Sequence, residues 1–460
     1  MSNVVDLYDQ TFFIGERATG TTNLLQCIWV YNRAVDIDGL RRFHHHLQRG
    51  RLSRRIEPSP LPFGRHRWVS ASNQSVLEIV DTPRPRDEFE AWLGEQANAT
   101  LDAEHGPEWH LAVLPFTDGG AGVSLVISHC LTDGVGLCEA LADAATGRHD
   151  PINWPAAGSR PLWRALREDA RQTARDIPSI GRAVVSAARF AQRNRASAGP
   201  ATPPSALSAG ADEPIAFPKA TIFIDADEWD ARAASLGGTS NSLLAGMAAH
   251  LAQRMGRVAA DGSVDLTLPV NERAAGDTRA NAITNVDFTV DPAPATTDLR
   301  DIRAAIKEAL INSQEVQNER WELLPLAPLL PRWLVRRVVS VSASSATSVV
   351  SSNLGEVNKA ACRPDGTAAD HFVMRSLGQG VTKAIMHRLG GLLVLLSGRT
   401  HEQVFVSVLS YQPGRSNSNG DLRQHLSSAL NEFSLTATFG WQADAIAAQA
   451  NSSELSDLTA

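Results

Sequence analysis

The chain has 460 residues, 43% hydrophobic and 20% charged, an ordinary composition for a water-soluble chain long enough to build two domains. Its net charge of −7 gives no general attraction to nucleic acid, and no run of about 18 apolar residues exists to span a membrane. Cys27, Cys130, Cys138 and Cys362 form no C-x-x-C pair, so free thiols in a reduced compartment, the cytoplasm, are expected, with no metal site.

The first residues, Met1 to Asp6, lack a basic region and an apolar stretch, so no signal peptide is expected. Leu24 to Tyr31 reads as a strand. Asp38 is placed to cap a helix whose Leu40, Phe43 and Leu47 share a face. The run His44-His45-His46 sits on that helix, where neighbours point in different directions, so a half-solvated face is expected rather than a metal site. Asp87 to Asn98 suggests a second helix. His110–Pro115 and Gly122–Ser128 pair as strands across the turn Thr117-Asp118-Gly119-Gly120.

The second of those strands leads into Ser128-His129-Cys130-Leu131-Thr132-Asp133-Gly134, an H-x-x-x-D-G motif. Val123, Leu125 and Ile127 alternate before it, and Leu137, Cys138, Leu141 and Ala144 recur at helical spacing after it. The motif therefore occupies a strand-to-helix turn, with His129 at the rim of a sheet. A neutral imidazole there is suited to accept a proton. Gly134 and Gly136 permit unusual backbone angles and close approach of a ligand. If the chain turns away after His129, Asp133 braces the loop through an Arg or backbone N–H groups. The plain alternative is a satisfied buried histidine followed by a helix cap.

From Arg160 to Arg195 nine arginines face three acids, Glu168, Asp169 and Asp176, with Leu162, Trp163, Ile177 and Val184 among the apolar residues. This predicts a basic amphipathic helical pair, which could lie on an anionic membrane surface at the inner face or pack on its own protein. Residues 198–218 have linker composition. They divide a first lobe, 1–197, from a second, 219–446, and 447–460 reads as a mobile tail.

In the second lobe Ala220–Ile224 is a strand, and Asp225 with Glu228 caps the next helix. A helix over Ser240–Met255, strands over Val264–Val270 and Ile283–Val290, and a helix over Asp298–Arg320 follow. Leu323 to Arg337 is apolar but broken by prolines, so it cannot span a membrane. Ser348–Asn353, Leu392–Ser397 and Gln403–Tyr411 read as strands, and Asp421–Phe433 as a helix.

These blocks, in order, resemble the wax ester synthase/diacylglycerol acyltransferase family, within the chloramphenicol acetyltransferase-like and condensation-domain superfamily. The resemblance rests on Leu7-Tyr8-Asp9 with Phe12 to Glu16, Arg51 to Arg55, Phe63 to Val69, and Gly106-Pro107-Glu108-Trp109. It continues through Ser128 to Gly134, Asn241-Ser242, Leu268 to Arg273, Asn281, Asn285, and Ser351 to Val357. Ser128 stands where the family has the first histidine of a pair, and Ser242 where it has an aspartate.

The resemblance implies an α/β (α+β) chain of two chloramphenicol acetyltransferase-like lobes, each a mixed sheet with flanking helices, with the active site in the cleft between them. It implies a fatty acyl transfer from acyl-CoA, or an acyl-carrier thioester, to a lipid hydroxyl such as diacylglycerol or a long-chain alcohol. His129 is the expected general base, Asp133, bracing the loop, and Gly134 are the other expected catalytic residues, and Ser128, Arg273 and Asn353 are expected at the substrate. Asp133 is expected to pair with Arg273, or failing that Arg17. Transfer is direct, since no G-x-S-x-G nucleophile elbow exists. Cys130, next to His129 on a strand, points the other way. The chemistry requires no metal or prosthetic group. A condensation-type acyltransferase making an ester or amide in specialised metabolism, and a non-catalytic scaffold, are the competing readings.

Overall fold

A computed structural model describes residues 3–71, 75–148, 152–197, 213–274, 276–315, 322–331, 333–335 and 349–441. The expected tail, most of the expected linker, and residues 316–320 of one expected helix lie outside them.

The first part of the chain runs through α1 (Leu7–Thr19), β1 (Thr22–Tyr31), α2 (Ile37–Leu47), β2 (Arg54–Glu57), β3 (Arg67–Ser70) and β4 (Leu77–Ile79). It continues with α3 (Phe89–Ala97), β5 (Trp109–Pro115), β6 (Ala121–Ser128), α4 (Gly134–Thr146) and α5 (Leu162–Ser197). Next come β7 (Lys219–Asp225), α6 (Ala226–Ser235), α7 (Ser240–Arg254), β8 (Val264–Asn271), β9 (Ile283–Val290) and α8 (Arg300–Glu315). The chain then forms β10 (Val349–Glu356), β11 (His371–Gln379), α9 (Lys383–Leu389), β12 (Leu392–Thr400), β13 (Gln403–Tyr411), α10 (Asn419–Glu432) and β14 (Thr438–Phe439).

Two mixed sheets result. One has the order β11-β1-β6-β5-β4, the other β14-β7-β13-β12-β10-β8-β9, and β2-β3 form a separate hairpin. β1 and β6 sit inside the first sheet, and every residue of β6 is buried, which explains their near-continuous apolar runs.

The lobes are not cleanly divided at the linker. β11 pairs along the whole of β1, from Thr22 opposite Gln379 to Val30 opposite His371. The expected second lobe therefore returns one strand to the first sheet, and Ser407 of β13 donates its hydroxyl to the Met374 carbonyl at 3.0 Å. Sequence reading missed β11 because its partner lies more than three hundred residues upstream. Leu24, Val126, Leu377 and Leu409 form a buried cluster that joins the two sheets.

Local signals were mostly where expected. The α2 cap is Asp36 rather than Asp38. Asp225 caps α6, but Glu228 turns to the Thr436 N–H at 2.6 Å instead of closing a capping box. Ser242 closes one at α7 with Thr239, a local use for the residue that departs from the family pattern. The basic segment is one 36-residue helix containing Pro178, not a pair. No described helix is long and apolar enough to cross a membrane.

Candidate active site

β6 ends at Ser128 and α4 starts at Gly134, so His129 lies on the turn between them. Its backbone N–H donates to the Asn23 carbonyl at 2.8 Å, continuing the ladder with β1 for one more bond. The His129 ring stacks on Phe12 of α1, with centroids 5.7 Å apart and planes 14° from parallel. Burial pushes its pKa below the ordinary histidine value, opposed by its own carbonyl, the Asp133 carboxylate and the Asn281 side chain. Its Nδ1 is buried and short of a full hydrogen bond.

Asp133 is buried and saturated. One oxygen accepts from Gly136 N–H at 2.6 Å and so caps α4. The other accepts from Arg273 Nη2 at 2.6 Å and from Ala282 N–H at 2.7 Å. Arg273 also donates to the carbonyls of Arg279 and Ala280, at 3.0 and 2.9 Å. Arg273 is thus the arginine that pairs with Asp133, as expected from sequence, and its two terminal nitrogens are engaged on the loop. Arg17 instead binds Asp102 and Glu104.

The segment between β8 and β9 is clamped from several sides. Asp9 of α1 accepts from the N–H groups of Ala280 and Asn281, both at 2.8 Å, and from the Asn281 side chain at 3.1 Å. Asn281 Nδ2 also donates to the His129 carbonyl at 3.0 Å. Arg54, stacked 4.2 Å over Trp68, donates to the carbonyls of Thr278 and Leu131, at 2.5 and 2.9 Å. Burial raises the Asp9 pKa to about 6 and lowers that of Arg54 to about 10. Neither Asp9 nor Arg54 had been assigned a role from sequence. Both lie in blocks that carry the resemblance, and each is a charge on an otherwise core-facing stretch.

Gly134 and Gly136 do not need unusual backbone angles, since neither has a positive φ. They supply space. A Cβ on Gly134 would stand 2.7 Å from Leu354 and 3.3 Å from the Met374 sulfur, and one on Gly136 would stand 2.8 Å from Arg273 Nη2. Gly134 is a packing position beneath β10 and β11.

Ser128 is buried, and its hydroxyl lies 3.1 Å from Cys130 Sγ and 3.4 Å from a Glu16 oxygen. Burial lifts Glu16 to about 7, opposed by the Asn23 N–H, Cys130, Ser128 and Arg17. The same burial drives the Cys130 thiol far above its ordinary pKa, which makes it a poor nucleophile. Asn353 donates to Asn241 Oδ1 at 2.6 Å and accepts from Gly355 N–H at 2.9 Å, so its amide is engaged within the second lobe. All four cysteines are buried and free. His44 and His46 have separate partners, the Trp109 ring and the Ala144 carbonyl.

A trough of about 1050 Å³ lies between α5 and the second lobe, lined by Arg182, Arg189, Glu272, Thr284 and Glu322 among others. His129 is not among its lining residues, but Glu272, the chain neighbour of Arg273, is.

No family model matches the chain, and no curated protein matches it. Solved structures do. The wax ester synthase/diacylglycerol acyltransferase of Marinobacter aquaeolei VT8 is similar at 16% identity and a TM-score of 0.52, over 94% of this chain and 98% of that one. The first condensation domain of the CDA synthetase is similar at 13% identity and a TM-score of 0.54, over 95% and 99%. The nonribosomal peptide synthetase FmoA3 matches at 17% identity and 0.53, over 94% of this chain and 44% of that one. The chain has the two-lobed mixed α/β fold that the wax ester synthase/diacylglycerol acyltransferase shares with condensation domains.

Proposed function

We propose that the protein is an acyltransferase that uses His129 as general base to move an acyl group from a thioester to a hydroxyl or amine. The observation that carries this is the neutral, Phe12-stacked imidazole at the end of β6, on a turn held from both lobes. His129 takes the acceptor proton as the acceptor oxygen attacks the acyl carbon. The tetrahedral intermediate then expels the thiolate, which recovers that proton from the imidazolium. Placement of the two substrates on one rigid turn supplies much of the remaining acceleration.

Acyl-CoA as donor and a lipid alcohol as acceptor is the substrate pair we favour. An ester- or amide-forming condensation on a carrier-bound acyl group is the second reading. Ser128, in place of a histidine beside the base, favours it.

The test is thiol release from palmitoyl-CoA with diacylglycerol, hexadecanol or an alkylamine, using the full chain and His129→Ala. Release that depends on acceptor and disappears in His129→Ala, with an unchanged melting temperature, is expected. Equal release by a folded His129→Ala protein would overturn the base assignment.

A further inference from the structure

At 1.5 Å per residue, α5 is about 54 Å long. Its inner side is well anchored. Ala165, Asp169 and Ala183 are fully buried or nearly so. Asp169 holds Arg67 and Arg160, each at 3.0 Å, and Asp176 holds Arg65. The outer side is unlike an ordinary solvated helix face. At about 100° per residue, Trp163, Ile177, Val184 and Val185 fall on one outward stripe, and they are 83%, 60%, 54% and 49% exposed. Phe63, 54% exposed, stands beside Thr173 and Ile180 and widens that stripe.

The adjoining stripe carries Arg167, Arg171, Arg175, Arg182 and Arg189, all exposed. None has an ion pair among the described residues, whereas Arg160 and Arg164 do. Of the helix acids, Asp169 and Asp176 are spent on arginines outside the helix, and Glu168 is neutralised by Arg164 one turn earlier. A chain of net charge −7 thus carries a long, net-cationic strip with aromatic and aliphatic side chains beside it.

We propose that the outer face of α5 docks the protein on an anionic lipid bilayer. The arginines bind headgroup phosphates, and Trp163, Ile177 and Val184 enter the interface. Charge complementarity selects the anionic surface. The exposed tryptophan and aliphatic row selects a bilayer over an acidic protein, since charge alone would not require it. Arg182 and Arg189 border the trough, so docking places its mouth against the membrane.

The experiment is co-sedimentation of the full chain with phosphatidylcholine vesicles, with and without one-third phosphatidylglycerol. Binding about tenfold stronger to the anionic vesicles, weakened by raised salt, is expected. The triple variant Arg171→Glu, Arg175→Glu, Arg182→Glu should lose that preference with no change in melting temperature. Trp163→Ala should weaken anionic binding several-fold. Absence of a preference for anionic vesicles, or its retention in the folded triple variant, would overturn the proposal. So would capture by soluble polyglutamate with no binding to vesicles. The measurement reads no catalysis, so it stands or falls separately from the acyl-transfer reading.

Discussion

Arg273 Nη2 and Asp133 Oδ2 meet at 2.6 Å across the junction of the two lobes, with side chains only 2% and 1% exposed. The pair joins the end of β8 to the start of α4, and so fixes the turn that carries His129. Its two halves are not equivalent. Asp133 keeps two N–H donors if Arg273 is lost, whereas Arg273 keeps only carbonyls if Asp133 is lost.

Asp133→Ala is therefore expected to cost about 3–5 kcal/mol, the range for leaving one member of a buried pair uncompensated. Arg273→Met should cost less. Asp133→Ser retains a capping oxygen for α4 but not the charge, and should remain close to the alanine variant. Urea denaturation of the three variants and the Asp133→Ala/Arg273→Met double variant reads the coupling. A serine variant as stable as wild type would show that the cap, not the ion pair, holds the turn.

The two glycines of the motif should respond differently. In Gly136→Ala the new methyl meets the pinned Arg273 guanidinium, and overpacking of about 1–3 kcal/mol is expected. In Gly134→Ala it meets the far end of Leu354, which is free to turn aside, so the loss should be smaller. Equal midpoints for the two variants in the same denaturant would contradict this packing.

The pH dependence of kcat/KM should reflect a depressed histidine. Burial holds His129 below its ordinary pKa, so the base is already mostly neutral at pH about 6.5 and more so above it. The rate should be flat there and fall only as pH drops through the lower folded value. Glu16, raised to about 7, touches Ser128. An inflection near neutrality that vanishes in Glu16→Gln belongs to that carboxyl, while one that persists in Glu16→Gln and sits at or above the ordinary histidine value would refute a depressed His129.

His66 should govern part of the acid sensitivity of the fold. Burial, aided by Arg65 and opposed by Asp169, lowers it to about 4. The native state then binds fewer protons than the unfolded chain between pH about 6.5 and 4. Its contribution is complete above the unfolded pKa and is lost as pH falls through the folded one. The effect is of order 1–3 kcal/mol. Asp9 works the other way, because its pKa is raised to about 6 and its share of stability is lost as pH rises. The informative comparison is thus wild type against His66→Gln at pH 7 and pH 5, by urea midpoint. The variant should show the shallower loss on acidification, and an equal loss in both proteins would contradict the assignment.

Sequence alone determined the elements whose cause is local. The alternation before His129 and the helical spacing after it placed the motif on a strand-to-helix turn, and β6 and α4 are there. The ordered blocks also carried the fold, because period and turn chemistry are properties of short stretches. Tertiary structure alone decided what those residues touch. The partners of Asp133 and His129 are 140 and 152 residues away, and β11 finds β1 across more than half of the chain. Such contacts depend on closing long loops and burying charge between lobes, and no local pattern records either. For the same reason Gly134 and Gly136 looked like conformational glycines in the sequence and are spatial ones in the fold. Asp9 and Arg54, whose partners no local pattern gives, hold the second lobe against the turn that carries the base.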